Sequence, residues 1–223
     1  MEIKYKKSLK DYKYLIMFDL ASKITGVCIY DLIKEKPIKT QVIIVKGKNT
    51  LPVVELFDSL DNFFTEITKK GILREDILVS FEAMPTQMHS AASTIQTFMA
   101  LAKSHAILDL YLAQNNIDVY DHVGVYPIST HSYYKKMANV SKEQKVTKED
   151  IRNYVIELYP ELKDITLDES DAVFLAKTFI EVKWNKDLDE EIRAWKKHGK
   201  TLKINSAIKK NEEKINFLKK IKH

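Results

Sequence analysis

Short apolar runs separated by polar stretches mark out the elements of this chain. Residues 12–18, 26–30 and 41–45 are apolar and β-prone, with breaks at Pro37 and Gly47. Strands this close together leave no room for intervening helices and predict an antiparallel meander. A helix then starts near Thr50 and Pro52, carries Val53, Phe57, Leu60, Phe64 and Ile67 at spacings of three and four, and stops at Gly71. Residues 77–81 read as a fourth strand of buried type. Residues 91–114 predict a long helix with Ile95, Phe98, Met99, Ala102, Ala106 and Leu110 along its stripe, followed by a short fifth strand at 117–120. Residues 129–146 are polar, carry several lysines and predict a loop or a poorly packed helix. Capping-box signals at Thr147 with Asp150 and Thr166 with Glu169 open helices over 148–159 and 168–182, and Pro160 closes the first. Two further helices are expected over 184–197 and 202–221, split at His198-Gly199-Lys200.

This order, β-β-β-α-β-α-β-α-α, predicts an α/β protein with a mixed five-stranded sheet flanked by helices, in which a meander is extended by strands reached through helices. It is the element order of the ribonuclease H-like fold. A body over residues 1–182 is followed by a basic helical C-terminal extension over 183–223. With 223 residues, 45% hydrophobic and 30% charged, the chain is long and apolar enough to bury a core, which argues against disorder. Cys28 is the only cysteine, so intramolecular disulfides and cysteine metal cages are excluded and a reducing compartment is favoured. The apolar run Tyr14–Phe18 follows charges up to Lys13 and is far too short for a membrane span, which predicts a soluble, cytoplasmic protein. Of the net charge of +5, residues 183–223 hold 13 Lys and Arg against 6 Asp and Glu, so the basic excess lies in the extension. Such an arm suits a polyanion, which attracts it at long range and releases counterions on contact. A lysine-rich solvated surface is the simpler reading of the same charge.

Four acids stand at element ends. The first strand runs Leu15-Ile16-Met17-Phe18 into Asp19, and the fourth runs Leu78-Val79-Ser80-Phe81 into Glu82. A lone ionised carboxylate at the end of a buried strand costs several kcal/mol unless a cation meets it. Asp168 and Asp171 are i and i+3 at the start of a helix whose stripe continues through Ala172, Leu175 and Phe179, while Glu169 and Ser170 point elsewhere. Acids in a first helical turn also favour the macrodipole, which explains either one taken singly. Acids at three separated element ends, with only Lys23 as a sequence-adjacent cation, point instead to a shared ion. All-oxygen donors without His or Cys select hard cations, Mg2+ or Mn2+. Two such ions about 4 Å apart support in-line hydrolysis of a phosphodiester.

These segments resemble the RuvC-type Holliday junction resolvases, most closely their bacteriophage members such as those of lactococcal phages. The matching pieces are FDLASKITGVCIYD at 18–31, VSFEAMP at 79–85 and LDESDAVFLAKTF at 167–179, in the family's order. The resemblance covers about residues 12–182 and implies that Asp19, Glu82, Asp168 and Asp171 are the metal-binding catalytic acids of a ribonuclease H-like nuclease domain. It also implies two Mg2+ ions per site, with Mn2+ as a substitute, and a homodimer whose two sites face one four-way DNA junction. The chain departs from the family in having Leu20 where bacterial members usually have Pro. It has Met84, Pro85 and Met88 where the family often offers an aromatic. Its basic loop lacks the family's glycines, and its extension has no counterpart in the usual bacterial enzyme.

Candidate DNA contacts are Met84 and Met88 as an apolar wedge, Tyr133 and Tyr134 as stacking platforms, and Lys135, Lys136, Lys142 and Lys145 as phosphate contacts. Packing under a loop is the competing reading for the tyrosines, as it is for the methionines. His89 and His131 carry little weight as loop histidines, and Asp31 is left out because Asp is common in turns. The function expected is junction resolution with 5′-phosphate and 3′-hydroxyl products; the alternative is a broader branched-DNA nuclease that cuts forks and flaps as readily. An actin-type nucleotide-binding protein also opens with Asp and then Thr-Gly. That fold wraps phosphates with several glycine turns, and the five glycines here are scattered.

Overall fold

The computed structural model describes residues 8–47, 51–84, 95–120, 124–141, 143–187, 189–190 and 192–194. Five strands, β1 (Tyr14–Asp19), β2 (Ile24–Asp31), β3 (Lys36–Ile44), β4 (Ile77–Phe81) and β5 (Asp118–Val119), form one sheet in the order β3-β2-β1-β4-β5. The β3-β2-β1 half is antiparallel, and β4 and β5 join parallel to β1, as expected for a meander extended through helices. Central strand β1 buries Leu15, Ile16, Met17 and Phe18 completely. Both sheet faces are covered, which explains its unbroken apolar run.

One face carries α1 (Pro52–Lys69) and α2 (Ile95–Gln114), whose Leu60, Phe64, Leu108 and Tyr111 close over Ile16, Phe18, Ile29 and Val79. The other carries α3 (Pro127–Met137), α4 (Lys148–Leu158) and α5 (Leu167–Phe179), packed on Leu15, Met17, Cys28 and Tyr30. After Phe179, α5 widens into one π-helical turn, Ile180–Trp184, which places Trp184 in this second core. Ile192 lies in the same core, so the chain stays on the body beyond residue 182. The remainder of the expected tail helices, from residue 195 on, lies outside the described residues. No helix among the described residues is long and apolar enough to cross a membrane.

Two expectations are corrected. The inward face of α2 is Ser104, Leu108, Tyr111 and Leu112, whereas Ile95, Met99 and Leu110 are 68%, 53% and 47% exposed. This helix is apolar nearly all round, so periodicity did not single out the packed face; the stack of Tyr111 on Phe64, with centroids 5.3 Å apart, does. Of residues 129–146, expected as a loop or a poorly packed helix, those up to Met137 belong to the regular helix α3. It begins with Pro127 in its first turn and is held by Thr130, Tyr133 and Tyr134, all buried.

Candidate active site

The acids meet at the C-terminal ends of the central strands. Parallel pairing of β1 with β4 sets Phe18 beside Phe81, so the next residue of each strand, Asp19 and Glu82, emerges at the same edge. The Glu82 backbone is pinned on both sides: its amide donates to Phe18 O at 2.9 Å, and it bridges to Val125, whose carbonyl accepts from Ala83 N at 2.7 Å.

Asp168 and Asp171 arrive on α5, whose N-cap Thr166 and Glu169 satisfy each other's backbone amides. Ala172, Leu175 and Phe179 are buried as the stripe requires. Ser170, expected off that face, is also fully buried and donates to Leu167 O at 2.7 Å. The reason is that α5 lies directly on the sheet. Gly26, the register partner of Asp19, faces α5 so closely that a Cβ there would lie 2.0 Å from the carbonyl oxygen of Asp168. The glycine of the Thr-Gly pair therefore lets the helix carrying two acids approach the strand carrying the first.

Oxygens of Asp19, Asp168 and Asp171 lie within 4.8 Å of one another. Asp19, Glu82 and Asp171 line a pocket of about 310 Å³ with Thr130, His131, Thr147 and Lys148. Burial, then repulsion from Asp19, pushes the Glu82 carboxyl up to about 8; burial, then repulsion from Asp171, pushes Asp19 up to about 6. The two carboxyls are also side-chain hydrogen-bond partners of each other. Burial also raises Asp171, although Lys148 pulls the other way. Burial and mutual repulsion both disfavour the charged forms of Asp19 and Glu82. All-oxygen donors, convergent and part-buried, fit a hard divalent cation.

A positive partner is present that the sequence reading did not include. Lys148 Nζ lies 2.6 Å from Asp171 Oδ2 and 3.2 Å from Asp168 Oδ1. One ammonium does not balance four carboxylates, so the site keeps its acidic character. His131, given little weight in the sequence, lines the pocket, as does Thr130, which the sequence does not single out and whose buried hydroxyl has no hydrogen-bond partner among the described residues.

The expected DNA contacts divide. Tyr133 and Tyr134 are core residues whose rings pack near Phe174, with centroids 5.8 and 5.9 Å away, so neither presents a face for a base. Lys136 and Lys145 are exposed, and Lys135 and Met84 are half-buried. Met88, Lys142 and His89 lie outside the described residues. Asp31 is a turn residue, accepting from the amides of Ile33 at 3.0 Å and Lys34 at 2.8 Å.

No family model and no curated protein matches the sequence. Solved structures do match. Thermus thermophilus RuvC in complex with a Holliday junction substrate aligns with a TM-score of 0.51 at 11% identity, over 75% of this chain and 92% of its own. The fold is that of RuvC. A second Thermus thermophilus RuvC structure aligns equally, at 0.51 and 11%, over 75% of this chain and 95% of its own. The yeast mitochondrial Holliday junction resolvase Ydc2 aligns over 76% of this chain and 78% of its own at 16% identity, with a TM-score of 0.48. On the RuvC fold of this chain, the acidic pocket lies between α5, which packs on β1 and β2, and the ends of β1 and β4.

Proposed function

We propose that this protein is a divalent-metal-dependent, structure-selective DNA endonuclease that resolves Holliday junctions as a symmetric dimer, leaving 5′-phosphate and 3′-hydroxyl ends. The observation that carries the reading is the meeting of Asp19, Asp168 and Asp171 within 4.8 Å, beside Glu82, on a RuvC fold. Among solved proteins of this fold is one bound to a Holliday junction.

In this reading Asp19 would be shared between two ions, Glu82 and Asp168 would hold one each, and Asp171 would complete the donor set or help to position the attacking water. Bound Mg2+ or Mn2+ supplies a nucleophilic water at neutral pH and neutralises charge on the transferring phosphate. The chain's own part is to hold the donors rigidly. Strand pairing holds Asp19 and Glu82, and the capped start of α5 holds Asp168 and Asp171. Lys136 and Lys145 are exposed to meet DNA phosphates, whereas the buried tyrosines have a packing role.

Asp19→Asn is expected to keep junction binding in a gel-shift assay and to abolish cleavage in Mg2+ or Mn2+. A variant that still cuts would refute the assignment. A broader branched-DNA nuclease is favoured by Met84 and Pro85 after Glu82, where a junction-inserting aromatic would otherwise stand. Cleavage of a mobile four-way junction, a Y-fork and a plain duplex separates the readings: junction-only cutting supports the first and equal cutting of forks the second.

A further inference from the structure

Lys148 is the first residue of α4, directly after the N-cap Thr147, whose side chain and that of Asp150 cap each other's amides. A cation there opposes the helix macrodipole, which favours the acids that follow, Glu149 and Asp150. Something outside α4 must compensate. The compensation comes from α5: the ammonium bridges Asp171 Oδ2 at 2.6 Å and Asp168 Oδ1 at 3.2 Å. The lysine side chain remains 56% exposed, so the ammonium is free to swing out into solvent.

A divalent ion held by the same two carboxylates needs metal–oxygen distances of about 2.0–2.1 Å for Mg2+. A nitrogen bridging both oxygens occupies the space such an ion would fill, and a +1 charge against a +2 charge at that range repels strongly. An ion that took those same two oxygens would displace the ammonium from them. We infer that Lys148 is a built-in counter-ion that holds Asp168 and Asp171 together before metal binds and must be expelled for metal to enter, so that it sets the metal concentration at which the site loads. This rests on the reading of the acids as a metal site. It goes further in assigning an opposing role to a lysine that is not itself a ligand.

The test is a Mn2+ titration without DNA, following free Mn2+ by electron paramagnetic resonance, on the wild type, Lys148→Met and Lys148→Arg. Lys148→Met is expected to bind Mn2+ about tenfold or more tightly, and Lys148→Arg to stay within a few-fold of wild type. Thermal melts give a second readout. In chelator Lys148→Met is expected to melt below wild type, because the two acids lose their counter-ion, and saturating Mn2+ is expected to close that gap. Wild-type binding of Mn2+ with Lys148→Met no tighter overturns this inference and leaves the metal site standing. Failure of both proteins to bind Mn2+ overturns the metal site and this inference with it.

Discussion

At the scale of single residues, Gly26 and the Asp19–Glu82 pair make the site what it is. Gly26→Ala puts a Cβ on the backbone of Asp168, and a backbone carbonyl cannot rotate away as a side chain would. The helix must lift from the strand, at an expected cost of about 1–3 kcal/mol or more in urea unfolding, with weakened Mn2+ binding. Wild-type stability and metal affinity in this variant would refute the close approach. The carboxyl pair sets a pH dependence. A carboxyl whose pKa is raised on folding binds its proton more tightly in the folded state. Its contribution to stability is complete below its unfolded pKa, about 4, and is lost as pH rises through its folded value. For Asp19 and Glu82 that window runs from about 4 to about 6 and about 8. Metal-free protein is therefore expected to lose stability across this range, and the melting-temperature gain from Mn2+ to be larger near pH 8 than near pH 6. Equal gains at both would show that these two acids do not face the ion. Both strand-end acids were legible in the sequence because a buried strand ending in a carboxylate is costly. Lys148 was not, since 20 residues separate it from Asp168 and only the fold brings them together.

Among the elements, α5 carries the most. Thr166→Ala removes the hydroxyl that caps it, at an expected cost of about 1 kcal/mol in denaturant titration. Because the frayed turn is the one bearing Asp168, cleavage is expected to fall more than stability alone explains; unchanged cleavage would mean that the cap does not position that acid. Both capped helices were readable from Thr147 and Thr166, where local hydrogen bonds decide the start. Helix α2 was readable in existence but not in orientation. Its exposed Ile95, Met99 and Leu110 are as apolar as its packed face, and tertiary stacking on α1 makes the choice. Helix α3 stays open between a loop and a poorly packed helix in the sequence, because its buried positions, Thr130, Tyr133 and Tyr134, form too short a stripe among polar residues.

For the whole molecule, a mixed sheet built from a meander and extended through helices was legible in the element order, whereas the parallel pairing of β1 with β4 that sets Asp19 and Glu82 at one edge is a finding of the structure. The proposed dimer is tested by sedimentation equilibrium, where twice the chain mass is expected. A wild-type mass of one chain would remove the symmetric-dimer element of the proposal and leave the metal chemistry untouched.

The π-helical turn after Phe179 has a bearing on insertions and deletions. Each residue advances a helix by about 100°, so the extra residue held in that turn resets the phase of everything that follows. Trp184 reaches Phe179, ring to ring at 6.3 Å, only with that offset in place. Deleting one residue between Ile180 and Lys183 would swing the indole toward water and carry Ile192 with it. A substitution on the outer side of the same turn, such as Val182→Thr, would leave the bearing of the chain unaltered.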